Sequence, residues 1–190
     1  MNQGYDVIEF LNGNTALKPA DEPILAAKFA GLPGRRSVDE WLETFRSQVV
    51  ILQDLSPLQM RELMLDSDVH AYAPGEVIFT RNDPGSSMFG IAEGSVLVEV
   101  GANATVGIEQ GSIFGEGGLI SGRRRGATIR AAGPTVAIEL SRNAALKLMA
   151  TVPAAARAVN RIAIERQLLQ MFGSGLTRED IAELVEKAEV

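Results

Sequence analysis

Residues 114–128, FGEGGLISGRRRGAT, concentrate the groups in this sequence that could do chemistry. One carboxylate at Glu116, three consecutive guanidinium groups at Arg123, Arg124 and Arg125, and a closing Thr128 stand among five glycines. A surface turn needs one or two glycines, not five. Several together remove the side chains that would hold an anion away from peptide N–H groups. A short helical turn after Gly115 would leave its first N–H groups unpaired, and these suit an anion. A guanidinium can hold two phosphate oxygens at once. A carboxylate only accepts, so it fits a hydroxyl donor.

The rest of the composition narrows the chemistry. The chain has no Cys, and His70 is its only histidine. Thiolate chemistry, disulfides and sulfur-ligated zinc are therefore out of reach, and neither a metal site nor a nucleophile–base pair is expected. The expectation is a binding protein and not an enzyme, with no cofactor beyond its ligand. A net charge of −6 argues against a broad basic face for nucleic acid. No run of 18 apolar residues occurs, and the start, MNQGYDVIEF, lacks the basic and apolar regions of a signal peptide. A cytoplasmic location is expected.

The elements that must position the glycine stretch can be read on either side of it. Residues 1–36 read as a loosely organised leader or linker, with apolar patches at Ile24–Ala27 and Phe29–Leu32. Ser37 and Glu40 form a capping-box pattern that opens a helix carrying Trp41, Leu42, Phe45 and Val49 on one face. Ser56-Pro57 starts a second helix with Leu58, Met60, Leu63 and Met64. From Val69 the chain becomes a succession of short apolar or alternating runs. They are broken at Ala73-Pro74-Gly75, Asn82-Asp83-Pro84-Gly85, Glu93-Gly94, Gly101-Ala102-Asn103 and Gln110-Gly111. Strands at such spacing predict an antiparallel sandwich or barrel. Two further strands, ATIRAA and TVAIEL, follow the glycine stretch. From Ser141 the pattern is helical: SRNAALKLMA, then a longer helix from Pro153 to about Met171, then a last one opened by Thr177 and Asp180.

This order of elements, and three stretches within it, resemble the cyclic nucleotide-binding domain family. The stretches are PGEVIFTRNDPGSSMFGIAEGSVLV at 74–98, GSIFGEGGLISGRRRGATIRA at 111–131 and PAAARAVNRIAIERQ at 153–167. The likeness covers roughly residues 40–170. It implies a mainly β fold: an antiparallel, jelly-roll-like β-roll (a double-stranded β-helix) with N-terminal helices and C-terminal lid helices. It also implies a phosphate-binding cassette at Gly115, Glu116, Gly117, Gly118 and Leu119, closed by Arg125, Gly126, Ala127 and Thr128. By that resemblance Arg125 pairs with the cyclic phosphate of cAMP or cGMP and Glu116 accepts from the ribose 2′-hydroxyl. The amides around Gly117, Gly118 and Ala127 close on phosphate and sugar, and Thr128 touches the purine. The lid helix covers the base, with Asn160 and Arg161 where lid contacts often fall.

Four positions depart from the family pattern: Asn82 in place of Gly, Gly90 in place of a large apolar residue, Gly118 in place of Ala and Arg124 in place of Pro. Gly90 and Gly118 are expected to loosen packing near the pocket, and the run Arg123–Arg125 allows a slip of one position. The domains implied are a leader at 1–36, a nucleotide-binding β-roll with its N-terminal helices at 37–143, and lid and tail helices at 144–190. The function implied is a regulatory sensor that signals by moving the C-terminal helix, with the output passing to a second copy of the chain, an effector protein or a domain of a larger chain from which this one was cut. The alternative is a structural or interaction domain of the same fold with an empty pocket. The acid-rich end LTREDIAELVEKAEV lacks a groove-reading partner helix, which argues against DNA binding.

Overall fold

The computed structural model describes residues 21–99 and 105–172, together with Glu179, Asp180, Glu183 and Leu184. Those last four are helical; the rest of the helix expected from Thr177 and the turn at Gly101-Ala102-Asn103 lie outside the described residues. Three helices come first, α1 (Glu22–Phe29), α2 (Val38–Gln48) and α3 (Pro57–Leu65). Strands follow: β1 (Ser67–Tyr72), β2 (Val77–Phe79), β3 (Ser87–Glu93), β4 (Ser95–Glu99), β5 (Thr105–Glu109) and β6 (Ile113–Phe114). A short helix, α4 (Glu116–Ser121), interrupts them before β7 (Thr128–Ala131) and β8 (Thr135–Ser141). Two helices close the order, α5 (Arg142–Thr151) and α6 (Pro153–Phe172).

The strands form two four-stranded antiparallel sheets, ordered β1-β8-β3-β6 and β2-β7-β4-β5. This is the expected mainly β architecture with flanking helices, and the sheets stay open at their edges instead of closing into a barrel. Alternation along β3 explains how one sheet serves two cores. Phe89 and Ile91 point between the sheets, where they pack with Val96, Phe114 and Ile129. Met88 and, on β8, Ile138 and Leu140 point the other way, into a larger core built with the helices. The central strands of the first sheet, β3 and β8, are thus buried on both faces, and β3 is buried at every position from Ser87 to Ala92.

Both N-terminal caps explain themselves locally. The Ser37 hydroxyl accepts from Glu40 N while the Glu40 carboxylate accepts from Ser37 N at 2.7 Å. Ser56 and Gln59 repeat the arrangement at α3, whose start Ser56-Pro57 had signalled. The apolar patches of the expected leader turn out to be core. Leu25, Phe29 and Leu32 sit in the helix-side cluster, with Phe29 and Phe45 stacked 6.2 Å apart. The order of this segment comes from docking: Arg61 of α3 pairs with Glu22 at 2.8 Å and with Asp39, tying α1, α2 and α3 together.

Gly90 does not loosen the packing as the sequence suggested. A Cβ placed on it would lie 2.5 Å from Cγ1 of Val49, a residue fully buried at the end of α2. The space that a side chain at 90 would have filled from β3 is filled from the helix side. Gly90→Ala should therefore lower stability by about 1–3 kcal/mol, the usual cost of overpacking. Adding Val49→Ala should recover part of that loss in denaturant unfolding; a double variant weaker than both singles would contradict this packing.

Candidate functional site

The glycine stretch forms a loop and one and a half turns of helix at the end of the roll where β6 leads into β7. Gly115 takes a left-handed conformation, φ 79°, and turns the chain out of β6 into α4. It also makes room: a Cβ there would stand 2.6 Å from Nη1 of Arg125. Gly118 is likewise a close approach and not a slack point. Its added Cβ would lie 3.1 Å from the Gly85 Cα, and one on Gly85 would lie 2.5 Å from the Arg123 carbonyl. The cassette therefore packs backbone against backbone on the β2–β3 turn. That turn is pinned by Asn82 N donating to Arg125 O and Arg125 N donating to Asp83 O, each at 2.9 Å. Asn82 holds a positive φ of 74°, the conformation for which Gly is usual and Asn the best substitute.

Of the three arginines only Arg125 turns inward. It is 5% exposed, whereas Arg123 and Arg124 are exposed. Its Nη1 donates to Ser87 O at 2.7 Å and to Gly115 O at 2.8 Å, and its Nη2 donates to the Ser87 hydroxyl at 2.9 Å. The guanidinium carbon lies 4.2 Å from the centre of the Phe79 ring and 5.7 Å from that of Phe89. Phe89 itself stacks on Phe114 at 4.9 Å. Nε of Arg125 is buried and has no hydrogen-bond partner. Among the described residues no carboxylate forms an ion pair with it: Glu116 pairs with Arg166, Glu139 with His70, and Asp83 accepts from Thr80 N. Burial lowers the Arg125 pKa, with Glu139, Asp83 and Glu116 opposing from farther off. The cation is thus held by dipoles and ring faces, with one donor left without a partner among the described residues.

Glu116 is 4% exposed and opens α4. Its Oε2 accepts from Nη1 of Arg166 at 2.8 Å, and Nη2 of the same arginine donates to Ile113 O at 2.7 Å. Arg166 lies on α6, so the long C-terminal helix is already anchored on the cassette. The sequence reading placed lid contacts at Asn160 and Arg161; both are exposed here, and Arg161 pairs with Glu165 along its own helix at 3.2 Å. Arg166 was not among the site residues singled out from the sequence.

The other cassette residues divide by role. The Leu119 side chain is fully buried in the helix-side core, and its carbonyl accepts from Arg142 of α5 at 2.6 Å. An added Cβ on Gly117 or Gly126 would meet open space. Ala127 and Thr128 are half-buried, and Thr128 Oγ1 accepts from Arg81 N at 3.0 Å. Among the described residues no group of three or more His, Cys, Asp or Glu could hold a metal, and no helix is long and apolar enough to cross a membrane.

Residues 69–152 match the family described as "Cyclic nucleotide-binding domain". A cAMP-dependent protein kinase regulatory subunit of Hypocrea atroviridis is 26% identical over 129 residues, 68% of this chain and 28% of the relative. A cyclic nucleotide-gated potassium channel of Mesorhizobium japonicum is 32% identical over 119 residues, 63% of this chain and 33% of that protein. The chain thus spans about a third or less of these relatives' lengths. Among solved structures, "Sp-2Cl-cAMPS bound to PKAR CBD2" superposes with a TM-score of 0.56 at 23% identity, over 75% of this chain and 95% of that one, and so shares the fold.

The contact between Gly115 and Arg125 is open to test. Gly115→Ala puts a side chain into a left-handed position, at about 1–2 kcal/mol, and drives its methyl at the guanidinium. Unfolding should show at least that loss, and the Arg125 side-chain NMR signals should shift. A variant with wild-type stability and unshifted signals would mean that the glycine is dispensable.

Proposed function

Because residues 69–152 belong to the cyclic nucleotide-binding domain family, we propose that this chain is a regulatory sensor that binds cAMP or cGMP at the cassette and answers by moving its C-terminal helix. The observation that carries the reading is the buried Arg125 guanidinium, held without an ion-pair partner among the described residues and with Nε unsatisfied. A cyclic phosphodiester supplies the missing negative charge. The N–H groups of Gly117, Gly118 and Ala127 close on it, helped by the open space beside Gly117 and Gly126. Charge-assisted bonds of this kind contribute about 1.5–3 kcal/mol each.

Glu116 accepts from the ribose hydroxyl and shares its carboxylate with Arg166. The ligand and α6 then meet at one group, and whichever α6 position leaves Glu116 best satisfied with ligand present is the one that ligand selects. A ligand shifts such an equilibrium only by its difference in affinity between the two positions. We assign the lid role on α6 to Arg166 in place of Asn160 and Arg161. Thr128, whose oxygen already accepts from Arg81 N, keeps its own proton for the purine. Residues 37–143 act as the sensing part and 144–190 as the responding part, with residues 1–36 ahead of them. The response passes to a second copy or an effector protein through the helices, and the module works as a binding switch and not as a catalyst.

A specific contact favours a second reading. Arg166 occupies the Glu116 carboxylate in the structure, so the seat can satisfy part of itself without ligand. On this reading the domain keeps the fold, holds an empty pocket and works as an interaction surface.

Thermal unfolding with cAMP and with cGMP separates the two. At a ligand concentration 100 times Kd the protein should gain about 2.7 kcal/mol. Arg125→Ala should abolish the gain. Glu116→Gln should weaken binding about tenfold or more, the loss of one charge-assisted bond. A wild-type chain that millimolar amounts of neither nucleotide stabilise would leave the empty-pocket reading in possession.

A further inference from the structure

Three neighbouring strands of the first sheet place a line of polar side chains that ends at Arg125. Glu139 of β8 lies opposite Phe89 of β3 and opposite Asp68 of β1. Ser87 is two residues from Phe89 and His70 two from Asp68, so both are diagonal neighbours of Glu139 on its own face. The contacts follow the register. His70 Nε2 lies 2.9 Å from Glu139 Oε2. On the other side stands Ser87, the diagonal neighbour of Glu139, whose hydroxyl oxygen accepts from Nη2 of Arg125 at 2.9 Å and so brings the guanidinium within electrostatic reach of Glu139. Nothing in the cassette motif requires these residues, and the sole histidine of the chain is otherwise without a role.

We propose that Glu139 is the built-in counter-charge of the anion seat, acting on Arg125 past Ser87, and that His70 sets how much of that charge the seat feels. The proposal rests on Arg125 being the anion-binding group. With His70 protonated, the imidazolium takes up the Glu139 charge and leaves Arg125 short of compensation, so an incoming anion is held more tightly. With His70 neutral, Glu139 competes with the ligand for the same guanidinium. Glu139 and His70 are thus positioning residues for the anion and touch no ligand themselves.

The charged surroundings of His70 are few. It faces Glu139 from β8 and Asp68 from its own strand; Asp68 is held by Lys28 of α1 at 3.5 Å. Tyr72, with its ring 5.7 Å away, has its hydroxyl pushed up beyond the ordinary range by burial, then by Glu139 and Glu76. The hydrogen bond to Glu139 raises the His70 pKa above 6.5, against the effect of burial, and the same bond lowers that of Glu139. The pair therefore contributes its stability fully below pH 6.5 on the histidine side and loses it as pH rises through the raised His70 value. On the Glu139 side the contribution holds above 4.5 and is lost as pH falls through the lowered value. Tighter anion binding should follow the first of these transitions.

Calorimetry with cAMP and cGMP from about pH 5.5 to about pH 8.5 spans the range in which an imidazole changes charge. Affinity should fall about fivefold across it, the low end of coupling between linked sites. His70→Gln should bind at the weak, high-pH level throughout. Glu139→Gln should bind more tightly than wild type, with no pH dependence. A wild-type profile in His70→Gln, or weaker binding in Glu139→Gln, overturns the proposal. An NMR titration of His70 needs no nucleotide: Arg125→Gln and Ser87→Ala should each raise its pKa, because each frees Glu139 for the imidazole. An unshifted His70 pKa in both variants overturns the coupling. If the wild type binds neither nucleotide, the sensor reading fails and the NMR titration alone decides this inference.

Discussion

The structure depends on keeping one guanidinium charged in a nearly dry place. Arg125 is 5% exposed and has no ion-pair partner among the described residues. Burying a bare cation costs far more than a domain can spare, so the surroundings must compensate without cancelling. Two carbonyls, one hydroxyl and two aromatic faces do this with dipoles and quadrupoles. A carboxylate in direct contact would have been a stronger partner and would have neutralised the guanidinium outright, whereas these groups leave its charge uncancelled.

That constraint explains the shape around it. The carbonyls of Ser87 and Gly115 come from the start of β3 and the end of β6, which are neighbours in the first sheet. Phe79 comes from the second sheet and Phe89 from the first, so the cation is clamped where the two sheets face each other. Glycine is needed at Gly115 because the guanidinium occupies the space of a Cβ, and at Gly85 and Gly118 because two backbones touch. Leu119 roots α4 in the helix-side core, which fixes the middle of the cassette.

Much of this was legible in the residues. Glu116, Arg125 and Thr128 were picked out by the resemblance of one contiguous motif, and such a motif survives folding because loop, helix and strand are contiguous there. The caps at Ser37 and Ser56 are local in the same sense. What was not legible came from distance. Gly90 read as a loss of packing because its replacement, Val49, arrives from another element. Leu25 and Phe29 read as a leader because a short helix of weak amphipathicity declares no core until α2 and α3 are in place to receive it. Arg166 reaches Glu116 across 50 residues, and no periodicity in α6 separates it from Arg161, which pairs only within its helix.

Two arginines outside the cassette carry the mechanical consequence. Arg142, at the first turn of α5, donates to the Leu119 carbonyl in α4, and its own N–H donates to Ser86 O on the rim of β3. Arg166, on α6, holds the Glu116 carboxylate at the other end of α4. The six-residue helix is therefore gripped at its start by one responding helix and at its middle by the other. Any displacement of α4 toward an anion must stretch or carry both grips, while Leu119 limits how far it can travel within a close-packed core. The two grips lie on different helices, so α4 is coupled mechanically to both α5 and α6.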